Sequence, residues 1–320
     1  MSVCEILESV KNGKQLWKDE AITLLNINNN SDEFYQLLSL ANEMTRREYK
    51  NQGFVFAQIG LNAEPCTVDC KFCSMSKTTY VMDRVWKKDL NTILSEAEAF
   101  FNSGINDLFL MTTADYPIND LLKIADHIKK ILPAGVRLVA NIGDFDDTTA
   151  LKLKDVGFTG AYHIRRLKEG IDTTISPAIR IQTIESIIKA GLELYYCVEP
   201  IGPEHSYDEI ADEMIRARDY YVGAMAVMRR TPLLGTPLFE KGQISSIELT
   251  KIAAVTRLVT RPSRSMNAHE TTQMSLIGGV NQLYAEVGAN PRDHNSNTEK
   301  SRGYTVEKVK QLLKDAEYEV

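Results

Sequence analysis

The chain lacks several features that would assign it to a class at once. None of its apolar runs approaches the ~20 residues that cross a bilayer. Its first residues, MSVCEILESVKNGK, place acids early and hold no apolar core, so they do not read as an export signal. Positive charge is not in excess. There are 37 Lys+Arg against 43 Asp+Glu, a net charge of −6, which argues against a general nucleic-acid binder. No low-complexity tract, no Pro/Gly/Ser linker and no repeat at the usual array periods is present. Cysteine is scarce, five in 320 residues, which excludes a disulfide-dense scaffold. What remains is an ordinary folded composition, 43% hydrophobic and 25% charged. A cytoplasmic location is expected, with neither membrane nor nucleic acid as partner.

Residues 1–50 read as helical. KDEAITLLNI and DEFYQLLSLANEMTRREY carry apolar residues at three- and four-residue spacing, and Ser31-Asp32 is a start signal for the second of these helices. From residue 54 onward, short apolar runs alternate with amphipathic stretches. The expected strands cover 54–61, 107–113, 136–143, 160–166, 192–200, 223–229, 263–268 and 281–287. Six clear helices lie between them over 89–104, 118–132, 146–157, 178–191, 207–221 and 245–260. Gly104, Gly157 and Gly191 close three of these. The seventh connection, around 269–279, is short, and 305–316 forms a last helix. Eight β–α units in a row predict an α/β fold, a (β/α)8 TIM barrel with an N-terminal helical extension. An open doubly wound sheet is the alternative. The expected division is a helical cap over 1–50 and a barrel domain with a C-terminal helix over 51–320. On such a barrel, chemistry sits at the C-terminal ends of the strands.

After the first strand comes Asn62-Ala-Glu-Pro-Cys66-Thr-Val-Asp-Cys70-Lys-Phe72-Cys73. Three of the five cysteines fall in eight residues, spaced Cys-x3-Cys-x2-Cys. In a chain with no export signal this reads as metal-binding or catalytic. A structural zinc site wants four ligands, usually as two short pairs. A ferredoxin-type cluster wants a fourth cysteine. Neither a fourth cysteine nor a histidine at zinc-finger spacing is nearby. Three thiolates can hold three irons of a [4Fe–4S] cube and leave the fourth iron open, as a catalytic site would.

This motif resembles the signature of radical S-adenosylmethionine enzymes, with Phe72 as the aromatic residue before the last thiol. GLNAEPCTVDCKFC, KAGLELYYCVEPIGPE, GTPL at 235–238 and RSMNAHETTQMSLIGGVNQLYAEVGANP resemble the biotin synthase branch, so the similarity spans nearly the whole chain. The resemblance implies a [4Fe–4S] cluster on Cys66, Cys70 and Cys73. It implies S-adenosylmethionine chelated to the open iron and cleaved by one electron, so that a hydrogen atom is abstracted from a small-molecule substrate. It implies a low-potential electron donor such as flavodoxin or ferredoxin, and a barrel whose lumen is opened to hold substrate.

Other strand-end positions then become candidates for cofactor contacts. Thr112 and Thr113 stand where many relatives carry Gly-Gly-Glu, a motif absent here. Asn141, with Asp144, ends the third strand, and Asn141 suits a ribose hydroxyl or a backbone group. In His163-Ile-Arg165-Arg166, alternation would point His163 and Arg165 one way and Arg166 the other. An inward arginine needs an anion, and a solvated charge run is the alternative. Arg180 begins a helix near the place where relatives set an arginine against the cofactor carboxylate, and guanidinium geometry suits that role. Glu199 shares a strand face with Cys197, and Glu204 and His205 follow in the loop. Arg229, Arg230, His269, Glu270, Asn290, Arg292 and Asp293 would make a polar, cationic mouth suited to a carboxylate-bearing small molecule.

Sulfur insertion, as in biotin or lipoyl formation, is the rival reaction. It needs a second cluster. Arg264 matches the place of an arginine ligand to that cluster, but LFLMTT and LVANIG lack its cysteines, leaving only Cys4 and Cys197. A non-catalytic iron–sulfur or zinc protein is the rival from another class.

Overall fold

The computed structural model describes residues 1–269 and 273–320. Three helices come first: α1 (Val3–Lys11), α2 (Lys18–Leu25) and α3 (Asp32–Glu48). Ser31 caps α3 by accepting from the Phe34 amide. Asp32 and Glu33 in its first turn and Arg46 and Arg47 in its last oppose the helix dipole.

Eight strands follow: β1 (Phe54–Gly60), β2 (Asp107–Met111), β3 (Arg137–Asn141), β4 (Gly160–Tyr162), β5 (Glu193–Ile201), β6 (Ala224–Arg229), β7 (Ser265–His269) and β8 (Gln282–Gly288). They close in sequence order into one parallel barrel. The helices between them are α4 (Leu90–Asn102), α5 (Ile118–Ile131), α6 (Asp147–Val156), α7 (Pro177–Lys189), α8 (Tyr207–Asp219) and α9 (Ser246–Thr260). Among the described residues the seventh connection holds a short 3-10 turn, Gln273–Gly278, and α10 (Val306–Asp315) follows the last strand. Gly157 caps α6 at φ 118°, a conformation that a side chain would oppose.

The (β/α)8 barrel is therefore the architecture, and the open sheet is not. One element departs from the sequence expectation. The fourth strand ends at Tyr162 rather than at 166. Beyond it the Arg165 amide donates to the Tyr196 hydroxyl and the chain turns at Lys168 and Gly170, both at positive φ. The polar run 163–166 thus belongs to the loop that follows β4.

One apolar core joins the cap to the barrel, running from α1, α2 and α3 into α9 and α10. Every residue of α9 from Leu249 to Thr260 is buried, including Lys251 and Arg257. Lys251 donates to the Ile27 carbonyl at 3.1 Å, and Arg257 donates Nε to Thr45 at 2.8 Å and pairs with Glu48. These two cations look like surface residues in sequence. The N-terminal helices lie over them and supply an acceptor to each, and Glu248 of α9 itself pairs with Lys251 at 3.0 Å.

Inside the barrel, side chains alternate inward and outward along each strand. The lower inward layer is apolar: Phe56, Phe109, Val139, Tyr195 and Ala224, with Tyr284 packed on it. Phe109 meets Tyr195 and Tyr284 edge-on at ring separations of 5.3 and 5.0 Å. Beneath, Arg264 grips the fully buried Asp107 through two bonds of 2.8 and 2.9 Å. The lumen is therefore closed at its N-terminal end and open at the other.

Candidate active site

At the open end lies a cavity with about 1140 Å³ of empty space, part of it open to solvent. Its upper wall is the loop after β1. This loop is fixed by its own backbone: the Cys66 amide donates to the Met75 carbonyl at 2.8 Å, and Lys77 donates back to Cys66 at 3.1 Å. Asp69, at φ 54°, ties the return of the loop by accepting from the Thr78 amide at 2.9 Å. The segment after β4 clamps the other side, with Lys71 donating to the Asp172 carbonyl and Thr174 to that of Val68, both at 2.9 Å. Cys66, Cys70 and Cys73 all line the cavity from this loop.

The donor set fits an iron–sulfur cube better than a single ion. Among the described residues no three His, Cys, Asp or Glu side chains gather closely enough for one metal ion. A cube presents a different iron to each thiolate, so its ligands stand apart. Burial pushes the Cys70 thiol up to about 11 and the Cys73 thiol higher still. Such thiols stay protonated unless a cationic group holds them as thiolates.

Six of the eight candidate cofactor contacts line this same cavity: Phe72, Thr112, Thr113, Asn141, Arg180 and Glu199. Thr113 donates its amide to Asn62 Oδ1 at 3.0 Å, and its hydroxyl accepts from Asn62 Nδ2 at 2.8 Å. Thr112 donates its amide to Asn141 at 3.0 Å. Arg180 is buried between two carboxylates, with Nε at 3.1 Å from Glu169 and an Nη at 2.8 Å from Asp144. Two of its edges are thus already taken by the protein.

His163 and Arg165 do not reach the cavity. His163 is buried behind it, its Nε2 2.9 Å from Asp144, and burial lowers its pKa. Arg165 turns to the helical layer, 3.6 Å from Glu213. The arginine that enters the cavity is Arg166, whose Nε lies 3.4 Å from Glu199. Arg166 keeps the side of Tyr162, four residues earlier, which also lines the cavity, and His163 and Arg165 take the opposite side.

Below the thiols the walls are polar. Asn141 donates to Gln58 at 3.0 Å, Gln58 to Glu286 at 3.3 Å, and Arg292 to Glu286 at 2.9 Å, a chain crossing β3, β1 and β8. Burial raises the Glu286 pKa against the pull of Arg292. Opposite, Tyr162 donates its hydroxyl to Glu199 at 2.9 Å. His269 stacks on Tyr284 with ring centres 4.7 Å apart, and burial drives its pKa well down. Gln58, Tyr162, Tyr284 and Glu286 were not singled out as contacts from sequence; only inward alternation on a closed barrel reveals them.

Other candidates separate. Glu204 makes a two-pronged pair with the buried Arg230, and His205 accepts from the Gly202 amide at 2.9 Å as a loop residue. Cys197 is wholly buried in β5, Cys4 is exposed in α1, and Arg264 is held by Asp107 in the floor. The structure does not gather them into a second ligand set. Glu270 lies outside the described residues.

No protein-family model matches the chain. It is 25% identical over 268 residues to the biotin synthase of Clostridioides difficile (strain 630), covering 80% of this chain and 81% of that one. To the biotin synthase of Sulfurihydrogenibium sp. (strain YO3AOP1) it is 28% identical over 264 residues, covering 79% and 77%. In sequence, then, the chain is similar to the biotin synthase branch of the radical S-adenosylmethionine enzymes. The fold agrees. The crystal structure of methylornithine synthase (PylB) superposes with a TM-score of 0.83 at 17% identity, covering 98% of this chain and 95% of that one. That of the [FeFe]-hydrogenase maturase HydG gives 0.82 at 18%, covering 99% and 75%. Among the described residues, no helix is long and apolar enough to cross a membrane.

Proposed function

We propose that this enzyme abstracts a hydrogen atom from a small, carboxylate-bearing molecule in the barrel lumen, in cofactor or amino-acid-derived biosynthesis, and that it does not insert sulfur. The observation that carries the reading is the pairing of one three-thiol wall with a chamber beneath it that is closed at its floor and lined by polar side chains among apolar ones. Cys66, Cys70 and Cys73 are the cluster ligands. The bound cluster and S-adenosylmethionine supply one-electron cleavage of a sulfonium and hydrogen-atom abstraction.

The protein's part is to bind, orient and keep water out. Met75, Met111, Ile142 and Met228 give the cavity apolar walls. Phe72, Thr112, Thr113, Asn141, Arg166, Arg180 and Glu199 are the proposed cofactor contacts. Arg166 replaces Arg165 because it faces the cavity. Arg230 and Arg292 are the cations available to a substrate carboxylate, each already steadied by a glutamate. A low-potential one-electron donor of the flavodoxin or ferredoxin class would reduce the cluster, in the cytoplasm.

Sulfur insertion is disfavoured by the lower lumen. A second cluster would need space and thiolates there, and the layer is filled by Phe56, Phe109, Val139, Tyr195 and Tyr284. Iron analysis of anaerobically reconstituted protein tests the choice. About four irons per chain, the content of one cube, supports hydrogen abstraction with one cluster; about eight would support a sulfur donor. With S-adenosylmethionine and dithionite, the same preparation is expected to release 5′-deoxyadenosine.

A further inference from the structure

The chamber holds phenols that the reaction above leaves unused, and a phenolic O–H bond is weaker than an alkyl C–H bond. Tyr162 and Tyr284 both line it. Tyr284 is built into the floor, its ring against Phe56 and Phe109 and stacked on His269. Tyr196 points outward and donates to Glu213 at 2.7 Å. Cys197 is fully buried in β5 and does not line the cavity. Tyr162 packs on the same floor cluster, but its hydroxyl is held by a carboxylate at the cavity wall. It ends β4 at the cavity surface, and Glu199 fixes its hydroxyl oxygen at 2.9 Å. The other oxygen of Glu199 faces Arg166 at 3.4 Å, so the carboxylate is itself held in place.

We propose that Tyr162 donates a hydrogen atom to a carbon radical formed in the chamber, with Glu199 as the residue that positions it. The inference rests on the radical reading of the site. Rotation about the phenol C–O bond swings the hydrogen from Glu199 to the cavity while the oxygen stays in place. The O–H bond then breaks homolytically, a C–H bond forms at the radical carbon, and the unpaired electron remains on the Tyr162 phenoxyl. One electron from the low-potential donor that reduces the cluster, with one proton from water at the mouth, restores the phenol. The reaction so completed leaves a reduced, closed-shell product, and the substrate radical need not leave the chamber.

The test needs no knowledge of the substrate. Anaerobic, cluster-loaded enzyme is given S-adenosylmethionine and dithionite in D2O. Phenolic hydrogen exchanges with solvent and carbon-bound hydrogen does not. Wild-type enzyme is therefore expected to release 5′-deoxyadenosine that carries deuterium, and freeze-quenched samples to show a tyrosyl signal that narrows with ring-deuterated tyrosine. Tyr162→Phe keeps the ring and leaves Glu199 beside Arg166. It is expected to lose both the label and the signal, and the signal decides if the variant turns over too slowly for label analysis. Unlabelled product from the wild type overturns the assignment and leaves the radical reading intact. So does a label that survives Tyr162→Phe and disappears in Tyr284→Phe or Cys197→Ala. A brown, loaded enzyme that releases no 5′-deoxyadenosine overturns the radical reading and this assignment with it.

Discussion

The two halves of the lumen are built from the same eight strands and do opposite things. The lower half is filled: aromatic rings meet edge-on, and Arg264 closes the base on the buried Asp107. The upper half is open, and its ions are held in pairs, Arg166 with Glu199, Arg230 with Glu204 and Arg292 with Glu286. The alternation that sends Phe56 and Phe109 into the floor also sends Gln58 and Asn141 into the chamber one layer up. The floor supplies the packing that most barrels of this kind obtain along their whole length. That frees the upper layers to carry buried polar groups whose worth lies in binding rather than in stability.

If this division holds, substitutions in the two halves should separate cluster chemistry from stability. The largest effect is expected from Cys73→Ala at the mouth. Brown colour and S-adenosylmethionine cleavage should both vanish, while the unfolding midpoint of the apoprotein barely moves. Phe109→Ala in the floor should do the reverse, lowering unfolding free energy by about 3–5 kcal/mol in urea titration while the cluster still assembles. Arg264→Ala leaves Asp107 buried without its cation, and should destabilise by about 3 kcal/mol, again with cluster content unchanged. A floor variant that loses its cluster, or a mouth variant that unfolds, would break the comparison.

The smallest effect concerns pH. Burial raises Glu286 above an ordinary carboxylate, so the folded state binds this proton more tightly than the unfolded chain does. Stability should therefore fall as pH rises from the ordinary carboxylate range to the raised value, and be flat below that range. Glu286→Gln should remove that part of the slope. An unchanged slope would show that Arg292 holds the carboxylate ionised throughout.

Much of this was legible in the sequence, for identifiable reasons. The barrel follows from regular alternation of short apolar runs with amphipathic helices, because each strand is covered on its outer face by the helix that follows it. The thiol loop follows from spacing alone. The end of β4 was not legible: the His163 amide still donates to the Tyr195 carbonyl as a strand would, but the Arg165 amide turns to a side chain, the Tyr196 hydroxyl. Which face of that run enters the cavity was not legible either: Arg166 keeps the side of Tyr162, and Arg165 takes the other. The burial of Lys251 and Arg257 in α9 was likewise not legible, because their partners Ile27, Thr45 and Glu48 lie in the N-terminal helical segment, more than 200 residues away in the chain. The Asn141–Gln58–Glu286 chain has the same origin. Its members meet only when β1 pairs with β8 and the barrel closes.

The open corner of the cluster is the claim on which the rest depends. Electron paramagnetic resonance of the reduced, loaded enzyme before and after adding S-adenosylmethionine tests it most directly. Three thiolates and a vacant iron predict a clear change in the cluster's g-values when the ligand binds. A spectrum that stays the same at saturating S-adenosylmethionine would mean that the protein already fills the fourth position, and would contradict the account.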